Sequence, residues 1–150
     1  MKLAAALTER SDLQRRIAEI SKRLDNNAKV QEGDTPAEDP AVLTRELDNC
    51  LSRLEELITR INLTNSKAVI EGKTMTELLA HRDVLQQRLR IMRNFLDAAS
   101  CKIDRYSKAE IRILSTIPVA DIQKELDRYS KELREVNENI QELNWTTELQ

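Results

Sequence analysis

Apolar side chains recur at alternating steps of three and four through most of this chain, and that spacing decides what it can fold into. Leu3, Ala6, Leu13, Ile17, Ile20 and Leu24 set the rhythm in a first stretch, with Arg10 as its one charged interruption. Leu43, Leu47, Cys50, Leu54, Leu57 and Ile61 repeat it in a second, and Leu51 and Ile58 widen the stripe. A third seam runs from Met75 through Leu78, Leu85, Leu89, Met92 and Leu96 to Ala99, with Arg82 inside it. The fourth, Val119, Ile122, Leu126, Tyr129, Leu133, Val136, Ile140 and Leu143, carries no charge. A three-four rhythm places these side chains on one face of an α-helix. The spacing predicts helices over about 2–25, 40–62, 75–100 and 118–143. Each would be about 37 Å long at 1.5 Å per residue.

Composition closes off the competing folds. Two Gly in 150 residues cannot supply the tight turns of nucleotide-binding α/β or all-β folds. A charged share of 33% with only 3% aromatics suits long helices with solvated outer faces. The expected fold is mainly α, a single helical domain over 1–150. It consists of long antiparallel helical hairpins, as a four-helix bundle or coiled coil, with a small β element. A stripe as wide as the second touches two neighbours rather than one, which favours a bundle.

The breaks fall where turn chemistry puts them. Gly33, Pro36 and Pro40 mark a loop over 30–40, and Asp39-Pro40 fits an N-cap followed by proline at the first helical position. Ala68-Val69-Ile70 reads as extended and Glu71-Gly72 as a tight turn. Thr74 and Glu77 form a capping box at the start of the third helix. Ile111, Ile113, Ser115 and Ile117 alternate with their neighbours, which predicts a strand over 110–117 paired with the extended piece at 67–71.

The charges nearly balance, at net −2, so nothing drives the chain as a whole to nucleic acid or anionic lipid. They are unevenly placed: residues 1–29 carry +3 and residues 118–150 carry −4. Opposite ends should attract, either as helices pairing within the chain or as subunits meeting antiparallel. The N-terminal apolar run stops at Thr8-Glu9-Arg10, too short for a signal peptide, and no stretch reaches the length of a membrane helix. Cys50 and Cys101 have no CxxC spacing, and Cys50 falls on the second seam as a packed thiol. These features point to a reducing cytoplasm.

Candidate sites are few. His81, beside Arg82-Asp83, is the only histidine, and no Ser or Cys is spaced to serve it as a nucleophile. The residue three before it is Leu78, so the Glu-x-x-His pairs of di-iron bundles are missing. Glu32, Asp34, Glu38 and Asp39 make the 30–40 loop acidic, but their spacing fits no calcium loop. No catalytic residue, metal ligand or cofactor is expected. Arg10, Arg15, Arg16, Lys22 and Arg23, and again Arg88, Arg90 and Arg93, could lie along RNA as a basic arm. Interleaved acids and the shortage of aromatics count against nucleic acid as a partner. Arg10 and Arg82 sit at seam positions, where polar residues fix register and partner number.

Several local strings add a resemblance. Residues 1–24, Val30-Gln31-Glu32-Gly33-Asp34, Asn62-Leu63-Thr64-Asn65, the run from Thr76 to Asp83 and the ending Asn144-Trp145-Thr146-Thr147-Glu148-Leu149 resemble a bacterial family of small uncharacterised proteins. Some of its members carry the label septicolysin. The resemblance implies a helical bacterial protein with no established reaction, and the label implies a pore-forming cytolysin. The residues give that label little footing, because 111–117 is shorter than the 9–11 residues of a membrane-spanning strand.

The sequence therefore reads as a non-enzymatic helical homo-oligomer or interaction scaffold, without stable membrane insertion. Its expected interaction residues are Leu126, Tyr129, Leu133, Val136 and Ile140 on the cleanest seam, with Trp145 as an anchor just beyond it. The alternatives are the cytolysin and the RNA-binding arm.

Overall fold

A computed structural model describes residues 1–100 and 112–150. Its elements are α1 (Leu3–Asn26), α2 (Pro40–Lys67), β1 (Val69–Ile70), β2 (Lys73–Thr74), α3 (Met75–Ser100) and α4 (Val119–Thr146). The fold is mainly α, with one small two-stranded sheet. The chain forms two compact units, Met1–Val69 with Leu143–Gln150, and Ile70–Glu142.

In the first unit α1 and α2 lie antiparallel. Ile20, Leu43 and Cys50 are buried together, with Leu13, Ile17, Leu24 and Leu47 packed against them. Three charge pairs run alongside: Glu9 with Arg53, Arg16 with Glu46, and Arg23 with Glu38. The α1 partners advance by seven residues at each step while the others recede by seven and then eight. The heptad seam and its charged border thus set one register. Asn27, only 8% exposed, ends α1 and clamps the loop. Its amide donates to the Arg23 carbonyl at 2.8 Å and its oxygen accepts the Glu38 N–H at 2.9 Å. Asp39 caps α2 through the Ala41 N–H at 2.9 Å, with Pro40 in the first turn.

The helix α2 runs five residues past the expected end at 62. Thr64 and Ser66 look like helix breakers, yet their hydroxyls bond back to the Arg60 and Leu63 carbonyls, which keeps them inside helical geometry. Thr64 is also buried, and its Oγ1 accepts the Gln150 N–H at 3.0 Å. The two chain ends meet in this unit. Leu3 N–H donates to the Thr147 carbonyl, Leu149 N–H to the Met1 carbonyl, and the Met1 ammonium and Lys2 both pair with Glu148. Of the opposed end charges, Glu148 is thus paired within the chain with the Met1 ammonium and Lys2.

In the second unit Glu71 and Gly72 take positive φ values of 48° and 79°. Two such residues in succession make the tight turn that suits a two-residue hairpin. The turn folds β1 onto β2, and this corrects the pairing expected with 110–117. Residues 112–117 form no strand, and 110–111 lie outside the described residues. Lys73-Thr74 is the nearer partner. The Ser115 hydroxyl, in addition, bonds the Ile117 backbone at 3.1 Å, a local turn that ends the alternation before Pro118. The capping box forms as expected: Thr74 N–H and Oγ1 donate to Glu77 at 2.7 and 2.8 Å, and Glu77 N–H returns to Thr74 Oγ1 at 3.2 Å.

From there α3 buries Met75, Leu78, Leu85 and Leu89, and α4 buries Leu126, Val136 and Ile140. Three polar contacts tie the elements together with antiparallel polarity: Glu71 to Asn139, His81 to Glu132, and Arg88 to Tyr129. Among the described residues no helix is long and apolar enough to cross a membrane.

Candidate functional site

The six residues expected to mediate interaction do not share one surface. Leu126, Val136 and Ile140 are buried within the chain, and Leu133 and Tyr129 are half-buried. The Tyr129 hydroxyl accepts a hydrogen bond from Arg88 at 2.6 Å, and the guanidinium groups of Arg88 and Arg128 lie 4.7 and 4.3 Å from its ring centre. The regular α4 seam is thus largely spent on the chain's own core. Trp145 is different: it is 68% exposed. It borders a shallow apolar groove of about 500 Å³ with Met1, Ala4, Ala5 and Thr8 in the first unit.

Among the exposed apolar residues, those at helical spacing lie on α2 and α3. On α3, Val84 and Ile91 are each 57% exposed and Phe95 is 47% exposed. On α2, Leu51 and Ile58 are 44% and 40% exposed. Leu51 to Ile58, and Val84 to Ile91, are each a step of seven, so each pair forms a second stripe beside the seam its helix buries. The α2 stripe was legible as a widening of the seam. The α3 stripe carries the same signal in its spacing, but the longer seam from Met75 to Ala99 masks it.

His81 lies on the wall of a polar cavity of about 260 Å³ in the second unit. Its Nε2 is 2.8 Å from Glu132 Oε1, and Glu71, Lys73, Glu135 and Asn139 complete the polar lining. No Ser, Thr or Cys lines this cavity, and Lys73 brings an amine to its wall. Among the described residues no three His, Cys, Asp or Glu side chains converge to hold a metal ion. The acidic loop explains itself locally. Glu38 is taken by Arg23 and Asp39 by its cap, while Glu32 and Asp34 are exposed. Arg82 pairs with adjacent Asp83 rather than with an acid across the helices.

Electrostatics concentrate along α1 and α2. A hydrogen bond from Arg53 holds the Glu9 carboxyl below the usual carboxylate range, and Arg53 lowers Glu56 in the same way. Arg23 does the same to Glu38, and Lys2 with the N-terminal ammonium to Glu148. Of these carboxylates, Glu9 pairs between α1 and α2, Glu38 ties the loop to α1, Glu56 pairs within α2, and Glu148 holds the N-terminal end.

The chain is similar over its whole length to a solved structure described as a functionally unknown conserved protein from Corynebacterium diphtheriae. The two are 41% identical, with a TM-score of 0.90 over 100% of this chain and 99% of the other. No curated protein matches it. Neither a reaction nor a ligand comes with that likeness. Over residues 10–149 the sequence matches a family of unknown function, and with nearly the whole helical pattern inside that match the chain belongs to this family, DUF6847.

Proposed function

We propose that this chain is a non-enzymatic helical scaffold that works by associating with a second copy of itself. One observation carries the reading. Apolar side chains at heptad spacing remain outside on two helices, Leu51 and Ile58 on α2 and Val84, Ile91 and Phe95 on α3. Isolated exposed apolar residues are ordinary on any surface, but a stripe at helical spacing is what a further helix packs against. Each of these side chains still has roughly half its area to bury. At about 1 kcal/mol apiece, five of them offset a good part of the roughly 4–15 kcal/mol that association costs. The expected complex is therefore concentration-dependent.

Sedimentation velocity over a concentration series tests it. The expected result is a shift toward a mass of at least twice 17.3 kDa as concentration rises. Ile91→Glu, which places a charge on the outer α3 stripe and leaves the buried seam intact, should remain at the monomer mass with an unchanged helical circular dichroism spectrum. A wild-type chain that stays monomeric at every concentration contradicts the proposal.

A further inference from the structure

The two exposed stripes match each other in spacing and oppose each other in charge. On α2, Leu51, Glu55 and Ile58 are all exposed, and on α3 so are Val84, Arg88 and Ile91. Both triplets have the spacing i, i+4, i+7, which places all three side chains within one narrow strip of a helix. In each, a single charge stands between two aliphatic residues, acidic on α2 and basic on α3. We infer that the α2 stripe of one copy docks on the α3 stripe of a second copy, with Glu55 facing Arg88. This rests on the self-association proposed above and names the surfaces that make it.

Charge selects this pairing over the alternatives. Two α3 stripes packed together would bring one Arg88 near the other, and two α2 stripes would do the same with Glu55. Like charges across an interface oppose association, whereas opposite ones steer it and fix register. Because the charge lies near the middle of each triplet, Glu55 meets Arg88 whether the helices run parallel or antiparallel. Arg88 is also pre-positioned. Its hydrogen bond to the Tyr129 hydroxyl at 2.6 Å holds the guanidinium 4.7 Å from the ring centre, which lowers the entropy cost of presenting it. Each copy carries both stripes.

The test is a charge swap read by sedimentation. Glu55→Arg should weaken the dimer by at least ~10-fold, since it sets like charges against each other. Adding Arg88→Glu to that variant should restore the dimer. A second measurement avoids changing any charge. With Arg88→Lys, a carbodiimide should cross-link position 55 of one copy to position 88 of another, detected as a single peptide pair by mass spectrometry. A wild-type dimer that is indifferent to Glu55→Arg, or that gives no 55–88 cross-link, overturns this inference while leaving self-association standing. A wild-type chain that never dimerises instead removes the reading beneath it.

Discussion

Asn27 uses both ends of its amide: one holds the last turn of α1, the other the returning loop at Glu38. Its removal leaves the Glu38 N–H without that acceptor in a nearly buried place, while the Arg23 carbonyl keeps the Asn27 backbone N–H at 3.2 Å. Asn27→Ala should therefore cost roughly 1–3 kcal/mol, measured as a lowered urea midpoint with an unchanged slope. In the sequence Asn27 reads only as a helix stop. Its second bond, to a residue eleven positions on, depends on where the loop returns, and no local pattern encodes that. Gly72 carries a different lesson. A Cβ there would meet nothing within 4 Å, so space is not what it supplies. Its φ of 79° is. Gly72→Ala should cost on the order of 1 kcal/mol through backbone strain alone, visible as a lower thermal midpoint.

At the scale of elements, the seams and caps were legible because their causes are local. The Thr74–Glu77 box, the Asp39-Pro40 start and the Glu71-Gly72 turn need only neighbours in sequence. The partner of β1 was misread because alternation at 111–117 resembles a strand, while the true partner is two residues of no distinctive composition just beyond the turn. The end of α2 falls short in the sequence because the apolar seam stops at Ile61, while Thr64 and Ser66 continue the helix by bonding back to the Arg60 and Leu63 carbonyls. The α1–α2 register also gives a pH dependence. Glu9, Glu38 and Glu56 have their carboxyls lowered below the ordinary value of 4.5 by arginine partners. A group lowered in the folded state stabilises it above its unfolded pKa, and that contribution is lost as the pH falls through the folded value. Thermal midpoints should hold from neutrality down to about pH 4.5 and then decline with further acid. High salt should flatten the decline, because the pairs are largely exposed. A midpoint that rises on acidification would refute the sign.

For the molecule as a whole, four long helices follow from the three-four rhythm, but which apolar residues face outward does not. The cleanest seam, on α4, looks the best suited to a partner, yet its Leu126, Val136 and Ile140 are buried within the chain. The stripes at Leu51 and Ile58 and at Val84 and Ile91 are shorter and less regular, and they are the ones left over. Periodicity reports that a face will be buried; topology decides by what. This distinction yields paired outcomes. Leu126→Ala, inside the core, should cost roughly 2–4 kcal/mol of stability at any concentration. Ile58→Glu, on the outer face of α2, should leave the isolated monomer near its wild-type stability and act on association alone. The most direct test of the account is multi-angle light scattering on the wild-type chain beside Ile91→Glu, both at high micromolar concentration. The account predicts at least twice 17.3 kDa for the first and 17.3 kDa for the second, with equal helicity. Equal masses for the two, whether both single or both multiple, would contradict it.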